Sequence, residues 1–363
     1  MKVSVTQENL SKALSVVARV ASGKTTLPVL SNILIKTENN RLLLAATNLE
    51  VAITEYIGAK VTSEGAVTIP ARLLSEFIAN LPKGTVDLKV DCTKLHVSSD
   101  KYQSTIHGML AEEFPSLPEI VADQEIAIPA TTMKTAIAQT VLTASHDDTR
   151  PVLTGVLCHT YDNELYFAAT DGYRLAERKL QKITHDIKAL IPASTLADVA
   201  RVIPDDCEQV VLLFDESQVR FRMDDIEVTS RLIDGNFPDY RQLIPKRTEI
   251  HASLSRNDFV RIAKVASLFA RESGGSITVA TEADTQLVSI HSIASQLGEN
   301  TSEASAVVDQ EGAVTLNSRY LIEALGCFDT ETVQFGFSGK LAPCVLTSEK
   351  DNNYQHIIMP LRS

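Results

Sequence analysis

The strongest chemical signal in the sequence is Gly23-Lys24-Thr25, inside "ASGKTTLPVL" at 21–30. It matches the second half of a phosphate-binding loop, G-x-x-x-x-G-K-[ST]. There a glycine-rich turn leaves a strand, opens a helix and cradles phosphate with backbone N–H groups. The first glycine belongs at position 18, which is Ala18. Upstream, Leu10, Ala13, Leu14, Val17, Ala18 and Ala21 recur at spacings of three and four, so a helix enters where the motif needs a strand. Gly23 then reads as a helix C-cap, and Lys24 as a cation at the helix's negative end. The "HDD" run at 146–148 reads as loop residues before a strand, because adjacent side chains on one flexible segment rarely converge on an ion. No G-x-S-x-G, H-E-x-x-H or complete phosphate loop occurs, and no spacing marks a triad. Five scattered cysteines without a C-x-x-C pair argue for reduced thiols in a cytoplasm. No catalytic residue, metal or cofactor is expected.

The elements that position Lys24 are repeated along the chain. "LPVLSNILI" at 27–35 returns as "RPVLTGVLC" at 150–158, and "LLLAATNLEVAI" at 42–53 as "LYFAATDGYRLA" at 165–176. "VTIPARLLSEFIANLP" at 67–82 returns as "ALIPASTLADVARVIP" at 189–204, and "EEFPSLPEI" at 112–120 as "GNFPDYRQL" at 235–243. The offset stays at 122 or 123 residues throughout. A fainter third copy follows, with "LSRNDFVRIAKVASLFA" at 254–270, "SITVATEADTQLVSIHS" at 276–292 and "VTLNSRYLIEALGCF" at 314–328. The 363 residues thus divide into three similar domains, 1–122, 123–247 and 248–363, each near the common domain size. Each unit reads as alternating strands joined by short polar turns, with two amphipathic helices. That order predicts an α+β fold of antiparallel sheets with helices on one side. No apolar run is long enough to span a membrane, and "MKVSVTQENL" lacks the pattern of a signal peptide.

Charge is distributed unevenly over these elements. The expected helices, 7–22, 71–83, 131–145, 193–203, 255–272 and 318–328, hold eleven basic and six acidic residues. That surplus of five leaves −17 to the remainder of a chain whose net charge is −12. Similar units with helices on one face can line a continuous cationic surface on an acidic body, which favours a polyanion along that surface alone.

The threefold repeat, "TLPVLSNIL", "AATDGYRLA", "IDGNFPDYRQLIP" and the C-terminal "MPLR" resemble the bacterial DNA polymerase III beta subunit family, the replicative sliding clamps, over the whole chain. The resemblance implies a head-to-tail homodimeric ring with helices lining the hole and sheets outside, acting as a non-catalytic processivity factor. Duplex DNA would be held without sequence preference, with Lys24, Arg72, Lys83, Arg150 and Arg201 as phosphate contacts, and Ile106 and Leu268 would lie at the seam between copies. It also implies a pocket for short peptides of the polymerase alpha subunit, the clamp loader, and repair and translesion polymerases. Its wall would comprise Leu153, Thr170, Gly172, Tyr173, Arg174, Leu175, Pro238, Leu243, Asn317, Tyr320, Leu341, Ile358, Met359, Pro360, Leu361 and Arg362. Gln242 and Ser363 depart from residues common in that family. The alternative from the residues alone is an acidic protein-interaction scaffold that does not encircle DNA.

Overall fold

A computed structural model describes residues 1–21, 27–121, 125–295 and 298–362. Lys24, the C-cap expected at Gly23, and Ser363 lie outside them. The chain divides into two compact units, Met1–Met133 with Thr195–Leu232, and Lys134–Ser194 with Ile233–Ser363. The middle repeat contributes to both.

Six α-helices occur among the described residues, two per repeat: α1 (Gln7–Val17), α2 (Ala71–Ala79), α3 (Ala130–Thr140), α4 (Ala193–Val202), α5 (Arg256–Phe269) and α6 (Ser318–Gly326). They stop short of several expected ends. After α1 the chain tightens into i→i−3 bonds, Arg19 N to Val16 O (3.4 Å) and Ala21 N to Ala18 O (3.2 Å). α2 closes at Asn80, whose Nδ2 donates to Glu76 O (2.7 Å), two residues before Pro82. Arg19, Lys83 and Arg271 therefore sit beyond the α-helix ends, Arg271 in the short 3₁₀ turn Arg271–Ser273.

The first unit holds two antiparallel sheets. One has five strands in the order Lys60–Ser63, Lys2–Thr6, Thr85–Asp91, Lys94–Ser99, Tyr102–His107. The other has eight, in the order Glu125–Pro129, Gln209–Phe214, Gln218–Met223, Ile226–Arg231, Val51–Gly58, Arg41–Thr47, Asn32–Glu38, Ala66–Pro70. α1 buries Leu10, Ala13, Leu14 and Val17 and packs against α2, Arg41–Thr47 and Val51–Gly58.

The second unit holds one run of twelve antiparallel strands. In order these are Lys188–Pro192, Gly155–Tyr161, Glu164–Thr170, Arg174–Lys182, Tyr354–Ile358, Cys344–Thr347, Thr332–Phe337, Ile250–Ser255, Gly298–Val308, Leu287–Ala294, Ser276–Glu282 and Gly312–Asn317. α5 buries Phe259, Ile262, Ala263 and Ala266 against α6 and Leu287–Ala294. The first hairpins of repeats one and two turn through Asn39-Asn40 (φ +50° and +60°) and Asp162-Asn163 (+53° and +60°), the left-handed pair that matches strand twist. No helix among the described residues is long and apolar enough to cross a membrane.

Candidate partner-binding site

The site is built on the turn between Glu164–Thr170 and Arg174–Lys182. Thr170 Oγ1 donates to Arg174 O (2.6 Å) and accepts from Gly172 N (3.0 Å). Asp171 Oδ1 accepts from Tyr173 N (2.9 Å) and Arg174 N (3.0 Å). Gly172 sits at φ +91°, where a side chain is strained. The turn drives Tyr173 outward, 60% exposed, and turns Arg174 inward.

Arg174 is buried, with its side chain 6% exposed. Its Nε donates to Asp171 Oδ2 (3.0 Å), its Nη2 to Leu142 O (2.6 Å) and its Nη1 to the Glu323 carboxylate on α6. The guanidinium lies 4.5 Å from the Tyr320 ring centroid, a cation–π contact. Asn317 caps α6, its Oδ1 accepting from Arg319 N (2.9 Å) and Tyr320 N (3.4 Å), which fixes Tyr320 in the first turn. Burial opposes ionisation of Glu323, but hydrogen bonds from Arg319 and Arg174 outweigh it and hold the carboxyl below its usual range.

The C-terminal segment is a core strand rather than a frayed end. Tyr354–Ile358 lies between Arg174–Lys182 and Cys344–Thr347, with Ile358 opposite both Arg174 and Cys344. The chain continues with Met359 N bonded to Tyr173 O (2.8 Å) and Leu361 N to Thr315 O (2.8 Å). Leu153 and Leu175 pack with Phe237, Tyr240 and Ile357 in a small apolar cluster. Pro238, Leu243, Leu341 and Arg362 are exposed on flanking segments, Leu341 to 71%. The sequence-predicted pocket residues are thus distributed between a buried frame and exposed side chains within one unit.

A second network fixes the turn Tyr240–Leu243, which carries Leu243. Glu177 accepts from the Tyr240 hydroxyl and from Gln355 Nε2 (2.8 Å), and its Oε2 pairs with Arg241 Nη2 (2.9 Å). Arg241 lies 3.8 Å from the Tyr161 ring centroid and 4.5 Å from that of Tyr166. His159 Nε2 lies 2.7 Å from the Tyr240 hydroxyl, whose proton goes to Glu177, so the imidazole is the donor. Burial, and then the Arg241 charge, depress the His159 pKa. Gln242 donates to Asp239 Oδ2 (2.6 Å).

Glu323 and Glu177 were not legible as site residues. The available signal was "RLAERKL" at 174–180, four charges along a strand paired on both sides, where buried charge demands partners.

Among the described residues, the candidate phosphate contacts are exposed cations in surface ion pairs. Arg72 Nε pairs with Glu76 (2.8 Å), Lys83 Nζ with Glu8 (2.5 Å), Arg201 Nη1 with Asp198 (3.3 Å) and Arg150 Nε with Asp147 (3.5 Å). Such pairs contribute about 0–1 kcal/mol, so a phosphate displaces the carboxylate at little cost. Arg72, Lys83 and Arg201 belong to the first unit and Arg150 to the second. Asp147, of the "HDD" run, accepts from Thr149 N (3.0 Å) and Thr149 Oγ1 (2.6 Å), as a loop residue does. Among the described residues no group of three or more His, Cys, Asp or Glu is placed to hold a metal ion. Ile106 is buried on the end strand Tyr102–His107, and Leu268 is 52% exposed on α5.

Sequence profiles of the DNA polymerase III beta subunit match the chain end to end: its N-terminal domain at residues 1–118, central domain at 127–239 and C-terminal domain at 241–362. Beta sliding clamps of Staphylococcus epidermidis and Staphylococcus aureus are 31% and 30% identical over 377 aligned residues, covering all of both chains. The DNA polymerase sliding clamp of Bacillus subtilis superposes with a TM-score of 0.95 at 27% identity, covering 100% of this chain and 99% of that one. The sliding clamp of Pseudomonas aeruginosa, solved bound to griselimycin, gives 0.95 at 25% identity over the full length of both. The chain belongs to the DNA polymerase III beta subunit family, the beta sliding clamps.

Proposed function

We propose that two copies of this chain close head to tail into a ring that encircles duplex DNA, slides along it and tethers polymerase partners in the cytoplasm. The observation that carries this reading is a sheet joint made twice within the chain and left open once. Val51–Gly58 pairs with Ile226–Arg231, Val51 opposite Ser230, and Arg231 N donates to Glu50 O (3.0 Å). Arg174–Lys182 pairs with Tyr354–Ile358 in the same way, Arg174 opposite Ile358, and Met359 N donates to Tyr173 O (2.8 Å). The third counterparts are Gly298–Val308 and Tyr102–His107. Tyr102–His107 ends its sheet, and beyond Leu287–Ala294 only Ala306, Val307 and Val308 of Gly298–Val308 find a second partner. Open edges are adhesive, and a second copy satisfies both by the joint the chain already uses.

Three domains divided near residues 122 and 247 give each copy a set of cationic helices facing the duplex. Arg72, Lys83, Arg150, Arg201 and Lys24 contact phosphates weakly, which suits sliding, because a closed ring needs little affinity. Ile106 and Leu268 lie at the seam. The pocket around Tyr173, Arg174, Tyr320 and the tail takes a short extended peptide with Leu or Phe anchors. Burying two such side chains yields roughly 3–6 kcal/mol gross, and about micromolar binding after ordering costs.

Loaded onto nicked circular DNA, the protein is expected to survive high salt and to run off once the circle is linearised. Ordinary phosphate binding falls with salt whatever the DNA topology, so equal stripping from circles and linear pieces overturns encirclement.

A further inference from the structure

We infer that Glu323 couples DNA in the ring to the peptide pocket, because one carboxylate is shared between an exposed arginine of α6 and the buried arginine of the pocket. The inference rests on the function proposed above and adds a positioning residue to it.

Glu323 lies one helical turn after Arg319 and Tyr320 on α6. Its Oε1 accepts from Arg319 Nε (2.7 Å), and its Oε2 from Arg174 Nη1. The two arginines differ sharply in setting: the Arg319 side chain is 72% exposed and that of Arg174 is 6% exposed. The four groups Asp171, Arg174, Arg319 and Glu323 balance in charge. Tyr320, between Arg319 and Glu323 in sequence, carries the Arg174 guanidinium on its ring.

A duplex phosphate that takes the exposed Arg319 withdraws one positive charge from Glu323. The carboxylate is then left to Arg174 alone, which tightens the guanidinium against Tyr320 and Asp171. A better fixed pocket wall loses less freedom when a peptide binds. Peptide and DNA therefore favour one another, and the effect is reciprocal by linkage.

The test uses the full-length protein, a fluorescent peptide with Leu and Phe anchors, and a short blunt duplex that enters a closed ring end-on. Peptide affinity is measured by anisotropy without duplex and with saturating duplex. Wild type is expected to bind the peptide about three- to tenfold more tightly with duplex present. Arg319→Ala is expected to bind free peptide as tightly as the loaded wild type does, and to lose the dependence on duplex. Arg319→Lys is expected to restore part of that dependence. Glu323→Gln, which preserves the side-chain shape, is expected to bind more weakly and without duplex dependence. Peptide and duplex that both bind without affecting each other overturn the coupling alone. An Arg319→Ala protein that keeps the wild-type dependence also overturns it. Failure of wild type to bind either peptide or duplex overturns the coupling together with the function on which it rests.

Discussion

The 47–51 turn and the 170–174 turn share a backbone and differ in almost every side chain. Thr47 Oγ1 donates to Val51 O (3.0 Å) and accepts from Leu49 N (3.0 Å), and Asn48 Oδ1 accepts from Glu50 N (3.0 Å) and Val51 N (2.8 Å). These are the bonds of Thr170 and Asp171, residue for residue. Yet Leu49 stands for Gly172, Glu50 for Tyr173, Val51 for Arg174 and Glu55 for Arg178. The threonine and the Asn or Asp fix the turn by short-range hydrogen bonds, so the residues between and after them are free to specialise. One joint carries a buried Val51 with no charge to satisfy, and the other is tied by Arg174 to α6. The peptide recognition proposed above accordingly rests on the second turn's side chains and not on the repeated fold.

Arg174→Ala should break this comparison most strongly. It leaves Asp171 and Glu323, both partly buried, without their shared cation. The expected loss is about 3 kcal/mol in denaturant unfolding, with at least a tenfold fall in peptide affinity. Val51→Ala should cost about 1–2 kcal/mol and leave peptide affinity unchanged. Equal effects of the two variants on the peptide would remove the distinction between the joints.

Positions 55 and 178 sharpen it through pH. Arg178 pairs with Asp351. Glu55 is 7% exposed, and its Oε2 has no hydrogen-bond partner. Burial, opposed by Lys12, pushes its carboxyl up from 4.5 to about 7. The folded state thus holds this proton more tightly than the unfolded chain. Stability from Glu55 is complete below about pH 4.5 and is lost as pH rises towards 7, by up to about 3 kcal/mol. Glu55→Gln should flatten that part of the unfolding profile, and a profile unchanged by the substitution would show that Glu55 ionises normally.

The repeat made the fold legible, since each unit's strand and helix periodicities recur in a constant register. Helix ends were less so, because Asn80 and the turns after Val17 close helices through local bonds that periodicity does not register. Of the proposed pocket, the turn and the tail could be picked out as candidates from "TDGYRLA" and "MPLR". Glu323 could not, because its partner Arg174 is 149 residues away in sequence and meets it only through tertiary packing. A buried charge announces that it needs a partner without naming it.

The smallest effect expected concerns Gly172. A Cβ there meets only Arg150 Nη1, at 3.9 Å, so the cost of Gly172→Ala is confined to the backbone at φ +91°. Leu49 already occupies the same place in the first turn at φ +77°, held by the same bonds. The alanine variant should therefore keep its turn, lose about 1 kcal/mol in stability and bind peptide within threefold of wild type. Calorimetry and anisotropy on one preparation separate the two quantities. A tenfold loss of peptide affinity with only that small loss of stability would mean that the ligand backbone passes where the new methyl sits. Gly172 would then serve the peptide directly, and Leu49 would mark the first turn as closed to such a ligand.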